Sequence, residues 1–264
     1  MRKNVICNSS VTIFTIATGE YIKFYSNLYQ DLVNCSLYIR NLEIILLTDQ
    51  EFKPENPTHL GQISFKKIFI QYPNWETATL SRYEALNDFA IAITSQKVFW
   101  IDADMRILNF KAFSKEVDSA NCLTFARHPG YLTSLRKIFF RMLRAVNEHG
   151  LLQIRKILTE CQLYEGTWDD NKNSTAFTHP SKRKKYVHGA FWGGPTADVL
   201  EMSRELDSRV KIDLKSNYVA LWHDESHLNQ YCSTLEGTKY FSRYFSGADK
   251  LSDPHLSVIW SIQK

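Results

Sequence analysis

Two aspartates that follow a short apolar run are the first candidates for chemistry. Asp102 and Asp104 stand two residues apart, directly after the β-favouring residues 97–101. Burying two carboxylates at the end of a strand is costly unless a cation neutralises them. Carboxylate oxygens suit Mg²⁺ or Mn²⁺, which often take further ligands from substrate phosphates. The pattern predicts a metal site for a nucleotide diphosphate, although an aspartate that caps the element after a turn would show the same spacing.

A second concentration of reactive side chains occupies residues 222–229. His223 and His227 are four residues apart, so a helix would place both on one face, as zinc sites require. The zinc-protease motif needs a glutamate directly after the first histidine, but Asp224 stands there and Glu225 follows one place late. Asp224 would alternatively cap the helix that begins here.

A third segment, residues 186–195, carries three glycines and three aromatic side chains. We expect a helix from Pro195 to about residue 206, because proline is favoured at the first helical position. The pair Gly193 and Gly194 before that helix would let a ligand approach the backbone closely, or would form a plain turn.

Composition limits the classes of protein. The chain has 264 residues, of which 44% are hydrophobic, so it can bury a large core. Its net charge of +4 is too small to indicate nucleic-acid binding. The basic run 182–185 is interpreted as a solvated loop, or as a contact for phosphate or an anionic membrane surface. The five widely spaced cysteines indicate reduced packing residues. No apolar run approaches the roughly 20 residues of a membrane helix, so we expect a soluble, cytoplasmic protein.

The elements that must position these residues alternate between strand and helix. Apolar, β-branched runs predict strands at 11–17, 43–49, 63–70, 97–101 and 123–126. Helical periodicity predicts helices after residue 21, at 77–94 and at 111–117, and a largely helical, basic stretch at 132–163 that packs on the domain or lies at a membrane surface. This order predicts an α/β sheet with parallel crossovers, whose carboxyl edge carries the aspartates.

Several of these segments together resemble glycosyltransferase family six, which includes the ABO blood-group transferases and the α-1,3-galactosyltransferase. The most specific match is Trp222-His223-Asp224-Glu225-Ser226-His227-Leu228-Asn229, supported by Asp102-Ala103-Asp104-Met105 and the segment 188–194. Further landmarks agree in order: Phe14-Thr15-Ile16-Ala17, Trp75 before Thr79-Leu80-x-Arg82, His128-Pro129, Tyr164-Glu165 and Ser174-Thr175-Ala176-Phe177.

The resemblance implies a GT-A fold: one Rossmann-like, nucleotide-sugar-binding domain over 1–264 with a mixed central sheet and an acceptor-binding C-terminal half. Its nucleotide half would span about 11–110 and its acceptor half about 120–240, with a helical insertion at 132–163. The implied reaction moves galactose or N-acetylgalactosamine from a UDP-sugar to O3 of a β-galactoside, with retention of configuration. The implied cofactor is Mn²⁺, with Mg²⁺ as an alternative.

The resemblance also implies roles for single residues. Asp102 and Asp104 match the metal ligands, and Glu225 matches the catalytic acid beside the anomeric carbon, where a nucleophile and a stabiliser of same-face attack both remain open. The family's acceptor-binding positions correspond to His128, Trp222 and Glu225. Donor contacts match Phe14, Thr15, Ile16, Tyr21, Trp75, Arg82, Asp102, Ala103, Asp104, His188, Gly189, Ala190 and Asp224.

His188 and Ala190 fall where the family senses the donor's 2-substituent, and this pair favours UDP-galactose. The 132–163 segment is longer than the family's usual link, and only Lys264 corresponds to its basic C-terminal tail. Because no anchor precedes the catalytic domain, we expect a microbial or phage enzyme that acts on a glycan acceptor, lipid-linked or soluble, with at most peripheral contact to the inner membrane face. The alternatives are a nucleotidyltransferase on a related α/β scaffold and a catalytically silent sugar-binding module.

Overall fold

The computed structural model describes residues 7–54, 62–131, 166–183, 185–248 and 252–262. The predicted helical stretch at 132–163 lies outside these ranges. The strands are β1 (Cys7–Ile16), β2 (Ile39–Thr48), β3 (Gln62–Phe69), β4 (Lys97–Ile101), β5 (Met105–Ile107), β6 (Thr124–Arg127), β7 (Val187–Pro195), β8 (Lys239–Tyr240), β9 (Ser246–Ala248) and β10 (Ile259–Ser261). The helices are α1 (Ile22–Cys35), α2 (Trp75–Leu80), α3 (Arg82–Asp88), α4 (Phe110–Ser119), α5 (Thr196–Lys215) and α6 (His223–Thr234).

Seven of the ten described strands form one large mixed sheet, which confirms the predicted α/β class. Its order is β3-β2-β1-β4-β7-β6-β8. β1 pairs in parallel with β2 and β4, and β2 in parallel with β3, whereas β7 is antiparallel to both β4 and β6. The carboxyl ends of β1 and β4 therefore meet at one edge of the sheet, where ligands collect in such folds.

Both faces of the sheet are buried, because successive side chains of a strand point to opposite faces. On one face, Ile13 and Phe99 pack in a cluster with residues of α1 and α4. On the other face, Phe14 and Trp100 pack in a second cluster with residues of α3, α5 and α6. Burial on both faces explains why β1 and β4 are continuous apolar runs without alternation.

The prediction of a single helix at 77–94 is wrong, because this segment forms two short helices and a 3₁₀ turn. α2 ends and α3 begins at Ser81, whose backbone (φ −86°, ψ 3°) leaves the helical region. α3 ends at Phe89, and a 3₁₀ turn, Ala90–Ala92, follows. Serine competes for backbone hydrogen bonds in a helix interior, which favours a break at this position. The side-chain periodicity is similar in a broken and an unbroken helix, so it could not reveal the break.

The interpretation of Gly193 and Gly194 as a turn or a ligand loop before a helix is also wrong. Both glycines lie within β7, in the interior of the sheet. A Cβ on Gly193 would lie 2.4 Å from Phe99 Cδ1 and 2.4 Å from the Val98 carbonyl oxygen. The missing side chain thus permits close strand packing. The following helix, α5, begins at Thr196 and extends to Lys215, well beyond the predicted end near residue 206.

A small sheet that the sequence did not predict follows the aspartates directly. β5 begins at Met105 and pairs with β10, which pairs with β9. Arg106 in β5 contacts Asp31 of α1 through two hydrogen bonds of 2.6 and 2.9 Å. This bidentate pair fixes the segment after the aspartates against α1. Among the helices of the described ranges, none has the length and apolar character needed to cross a membrane.

Candidate active site

A cavity of about 390 Å³ opens at the carboxyl ends of β1 and β4. Its walls come from the turn after β1, the loop before α2, the inner side of α2 and the turn after β4. Seven of the predicted donor residues line it together: Ile16, Tyr21, Trp75, Arg82, Asp102, Ala103 and Asp104. The structure therefore brings together residues from four separate segments in the arrangement that the nucleotide-site hypothesis requires.

Phe14 and Thr15 do not line this cavity. Their side chains are fully buried within β1, and the Phe14 ring packs 6.0 Å from the Trp100 ring. A donor contact by either residue would have to come from its backbone, so their predicted role stays a prediction. The alternation of β1 explains the difference, because only Ile16 lies at the strand end where the side chain meets the cavity.

The turn after β4 presents Asp102 and Asp104 to the cavity. The Asp102 amide donates to the Ala190 carbonyl at 3.0 Å, which attaches this turn to β7. The Asp102 Oδ1 accepts a 2.6 Å hydrogen bond from the indole N–H of Trp100. The Asp104 carbonyl accepts a 3.0 Å bond from the Ile262 amide. Two carboxylates on one short turn beside a cavity match the donor set that Mg²⁺ or Mn²⁺ prefers.

Arg82 connects the aspartate turn to the second reactive segment. Its guanidinium lies 3.6 Å from Asp102 Oδ1 through Nη2 and 2.8 Å from Asp224 Oδ2 through Nε. It also donates to the Gly189 carbonyl at 2.7 Å and lies over the Trp100 ring, 5.0 Å from its centroid. Arg82 is buried, so these contacts act with little screening by water.

Asp224 does not cap α6, which corrects the capping alternative. The residue before the helix is Trp222, which makes no side-chain cap, and Asp224 lies in the first turn with its carboxylate directed at Arg82. The full positive charge of Arg82 is a stronger partner than a backbone amide. Within the described ranges, Asp224 Oδ2 has no aligned hydrogen bond, so the contact is an ion pair. Burial raises the pKa of Asp224, and Arg82 opposes the rise.

Glu225 is held by the backbone of β7. Its Oε2 accepts a 2.7 Å hydrogen bond from the Gly189 amide. A Cβ on Gly189 would lie 3.1 Å from Glu225 Oε2 and 3.5 Å from Arg82 Nη1, so the glycine allows both side chains to approach the strand. Burial raises the pKa of Glu225 to about 7, against the lowering effect of the Gly189 hydrogen bond. The carboxyl is therefore close to half ionised at neutral pH.

His128 and His188 lie on the other side of Glu225. Their ring centroids are 4.9 Å apart, and one ligand atom from each of His128, His188 and Glu225 falls within 4.8 Å of the others. Burial lowers the pKa of His128 to about 3 and that of His188 to about 4, so both rings are neutral at pH 7. Within the described ranges this is the one cluster of histidine, cysteine and carboxylate groups with metal-like spacing, and it does not include Asp102 or Asp104.

The remaining predicted residues differ in exposure. Trp222 is half exposed directly before α6, and its carbonyl accepts the Glu225 amide at 3.0 Å. Ala190 is almost fully buried in the core cluster that contains Phe191. Ala190 therefore has little free surface for a direct contact with a sugar.

The two histidines considered for zinc point to different partners. The His223 ring packs edge-on against Trp75 at 5.3 Å, and its Nε2 lies 3.6 Å from Glu76. His227 is buried, with Nε2 3.8 Å from Asp213. His223 thus joins α6 to α2, whereas His227 joins α6 to α5.

Comparison with known proteins shows what this chain is similar to. A sequence model described as glycosyltransferase family 6 matches residues 149–260. The O-antigen biosynthesis glycosyltransferase WbnI of Escherichia coli is 24% identical over 84% of this chain and 81% of its own length. The rat histo-blood group ABO system transferase 2 is 21% identical over 89% of the chain, and mouse globoside alpha-1,3-N-acetylgalactosaminyltransferase 1 is 24% identical over 85%. These matches confirm the resemblance of the chain to glycosyltransferase family 6.

The family model and the relatives agree with the resemblance drawn from the motifs, and they support glycosyl transfer as the class of activity. The match covers the segment that carries Gly189, Asp224 and Glu225, whereas Asp102 and Asp104 lie outside it. The chain spans 62% of the rat transferase and 57% of the mouse transferase.

The basic run 182–185 is not a uniform solvated loop. Arg183 is buried, donates to the Thr178 carbonyl at 2.8 Å and pairs with Asp170. Lys182 and Lys185 are exposed, and Lys184 lies outside the described residues. A buried arginine inside a run of charges has no distinct sequence signal, so only the structure separates its role from that of its neighbours.

The sequence missed several residues that line the cavity. Asp49 follows β2 directly and accepts a 2.8 Å bond from the Gly19 amide, which shapes the turn after β1. Tyr72 and Asn74 line the opposite wall, and Asn74 caps α2 by accepting from the Thr77 amide. Asp49 was detectable, because it stands at a strand end of the same sheet as Asp102.

Proposed function

We propose that this chain is a retaining, metal-dependent transferase that moves galactose, or N-acetylgalactosamine, from a UDP-sugar to O3 of a terminal β-galactoside. The contact that carries this proposal is Arg82, which touches Asp102 at 3.6 Å and Asp224 at 2.8 Å. The metal-ligand candidates Asp102 and Asp104 are separated in sequence from the Asp224-Glu225 pair by more than 100 residues. If they lay on different faces of the molecule, the chemistry would be impossible.

Asp102 and Asp104 are the residues that would hold Mn²⁺, or Mg²⁺ in its place. Bound there, the ion would supply positive charge to the departing UDP. The chain itself fixes the orientation of Asp102, because its amide is bonded to β7 and its carboxylate accepts the Trp100 N–H. Arg82 adds a second positive charge, because its guanidinium is always protonated. The guanidinium is also held in place, because it is buried and donates a hydrogen bond to the Gly189 carbonyl.

The cavity beside the aspartates suits a nucleotide. Ile16, Tyr21 and Trp75 offer apolar and aromatic surface at a parallel strand edge, and the carboxylates lie at one end. A base and ribose against the apolar wall would place a diphosphate near Asp102 and Asp104. Cofactor and substrate sites are usually lined by apolar surface with a few polar groups of defined orientation.

Glu225 is the carboxylate that we assign to the anomeric carbon. The Gly189 amide donates to Oε2, so the backbone of β7 orients the side chain. Retention follows if Glu225 attacks C1 to give a glycosyl-enzyme, or if it stabilises a cationic C1 while the acceptor enters on the face that UDP leaves. Both routes need the ionised carboxylate, whose fraction rises as pH passes about 7.

The acceptor and the sugar of the donor are assigned to the side of Glu225 that faces the histidines. His128 is neutral, accepts the Gly130 amide at Nδ1 and therefore carries its proton on Nε2, which can donate to a sugar hydroxyl. Trp222 offers an exposed ring for the apolar face of a sugar. Because His188 fills the space beside Glu225, we favour galactose over the bulkier N-acetylgalactosamine.

The test is a paired assay with UDP-galactose and UDP-N-acetylgalactosamine, each with Mn²⁺ and lactose. We expect equal release of UDP and trisaccharide, faster with UDP-galactose, and no release when EDTA is present. Release of pyrophosphate would indicate nucleotidyl transfer, and sugar binding without release would indicate a silent module. Undiminished turnover in EDTA would contradict the metal proposal.

A lipid-linked acceptor at the inner membrane face is a further part of the proposal. Exposed Lys182 and Lys185 would contact anionic headgroups, a contribution of about 1 kcal/mol for each lysine near the surface. Flotation with anionic liposomes at low and high salt tests this part. Absence of the protein from the lipid fraction at low salt would favour a soluble acceptor.

A further inference from the structure

The hydroxyl of Tyr186 is a buried polar group beside the Glu225 carboxylate. Tyr186 precedes β7 and is 1% exposed, and its hydroxyl lies within reach of Glu225 but makes no well-aligned hydrogen bond to any described residue. A buried hydroxyl without a partner lowers stability, because it has lost its hydrogen bonds to water. Such a group requires an acceptor, and the Glu225 carboxylate is the acceptor beside it.

The ring of Tyr186 is fixed, so its hydroxyl cannot turn away to find another acceptor. The edges of Tyr131 and Trp168 pack against it at 5.0 and 5.4 Å, and the His128 ring lies at 6.0 Å. A Cβ on Gly166 would lie 1.9 Å from Tyr186 Cδ2, so the chain has a glycine where the ring needs space. The Tyr186 carbonyl accepts the His128 amide at 3.0 Å.

The charged group that acts on this hydroxyl is Glu225. Burial and the nearby Glu225 carboxylate raise the pKa of Tyr186 far above its ordinary value, so the hydroxyl keeps its proton. In return, the Tyr186 hydroxyl lowers the pKa of Glu225. Glu225 already accepts the Gly189 amide at Oε2, and it shares the cluster with His128, which contacts the Tyr186 ring.

We propose that Tyr186 is a positioning residue, whose hydroxyl donates a hydrogen bond to the free oxygen of Glu225 when the carboxylate ionises during transfer. This inference rests on the proposed role of Glu225. Two donors, one from the Gly189 backbone and one from Tyr186, would then fix both oxygens of the carboxylate toward the sugar. The hydrogen bond from the Gly189 amide of β7 is always present, whereas the hydrogen bond from the Tyr186 hydroxyl responds to the charge of Glu225.

Other titratable groups face Glu225 and must be separated from Tyr186 in any test. Arg82 of α3 lowers the pKa of Glu225, and Asp102 raises it. His128 and His188 are neutral at pH 7, and Asp224 is the neighbour on α6. A variant that removes only the Tyr186 hydroxyl leaves all of these groups in place.

The experiment compares Tyr186→Phe with Tyr25→Phe. Tyr25 also has a buried hydroxyl without a partner among the described residues, but it packs in the core against Tyr29 and Phe52, away from Glu225. Three quantities are measured for both variants: the midpoint of thermal unfolding, the steady-state constants, and the pKa of Glu225 by carbon NMR of labelled glutamate, assigned with Glu225→Gln.

We expect both variants to unfold at the same temperature as the wild type or higher, because each loses an unsatisfied polar group. Only Tyr186→Phe should lower kcat, by roughly tenfold, the usual effect of losing a hydrogen bond to a charged group. Its KM for the UDP-sugar should change little. The Glu225 titration and the acid limb of the pH profile should move to higher pH by about one pH unit.

An unchanged Glu225 titration in Tyr186→Phe would overturn the inference, and so would equal kinetic losses in the two variants. A marked loss of stability in Tyr186→Phe would show that the hydroxyl already has a structural partner, and would also overturn it. If the wild type transfers no sugar, the proposed function fails, while the NMR titration still tests the Tyr186 to Glu225 contact.

Discussion

Replacing Arg82 by methionine should destabilise the protein more than any exposed charge substitution. The variant keeps the length of the side chain but removes the cation that lies 2.8 Å from Asp224 and 3.6 Å from Asp102. Removing one partner of a buried ion pair costs about 3 to 5 kcal/mol. Asp102 is 29% exposed and keeps its hydrogen bond from the Trp100 indole. Water therefore partly compensates Asp102 for the loss of the Arg82 charge. We therefore expect a loss near the lower end of the range.

A loss of about 3 kcal/mol lowers the unfolding midpoint by roughly 6 to 12 °C for a chain of this size. Calorimetry or circular dichroism measures the midpoint directly. Arg204→Met on exposed α5 is the matched control and should stay within about 0.5 kcal/mol of the wild type. Arg82→Lys should be intermediate, because one ammonium cannot contact both carboxylates and the Gly189 carbonyl together.

The pH dependence of the Arg82→Met deficit provides the sharper test. Burial raises the pKa of Asp224 above its ordinary value of 3.8, so the folded state loses stability as pH rises through the folded pKa and the ionised form dominates. Arg82 opposes this loss in the wild type. The deficit of Arg82→Met should therefore be larger at pH 8 than at pH 5. An equal deficit at both pH values, or none at pH 8, would refute the assignment of Arg82 as the neutralising group.

Three further results are expected. Asp102→Asn and Asp104→Asn should each lower Mn²⁺-dependent turnover by roughly a hundredfold or more, since both lose a charged ligand; Mn²⁺ binding by electron paramagnetic resonance should weaken in parallel, and unchanged binding would remove that residue from the metal site. Glu225→Gln should lose most of its turnover while UDP affinity stays constant by calorimetry, and wild-type turnover should rise as pH passes about 7 because Glu225 ionises; near-normal transfer by the variant would exclude Glu225 from the mechanism. Gly193→Ala should destabilise the sheet by about 3 kcal/mol or more in urea, because its Cβ would lie 2.4 Å from Phe99 and only strand separation relieves the clash; a wild-type urea midpoint would contradict this packing.

The location of the candidate site followed from the sequence because strand ends are recognisable. Asp102 ends a run that is apolar on both faces, and such runs belong to central strands whose carboxyl ends meet. The motif that contains Asp224 and Glu225 was distinctive enough to predict the family, but it carried no information on distance. The contact between the two segments depends on Arg82, whose side chain could be placed only after the break at Ser81 was known.

The parts that could not be predicted depend on long-range packing. The segment 187–195 contains three glycines, which are typical of a loop, yet its backbone pairs with β4 and β6 because Phe99 and Cys122 leave no room for side chains. Local propensity is weak against such tertiary contacts. The same reason explains Tyr186, since the sequence shows an aromatic residue but not the lack of a partner for its hydroxyl.

The insertion of β7 between β4 and β6 has a consequence for synthesis on the ribosome. β1 to β4 can pair as soon as they emerge, but one side of β4 then stays open until roughly 90 further residues have been translated, about 5 to 18 s at ordinary elongation rates. During that interval an apolar strand exposes a free edge, which is the feature that chaperones protect and that aggregates recruit. The nascent polypeptide thus completes its candidate site late, when the arrival of β7 and α6 both closes the exposed edge and brings Glu225 to Gly189.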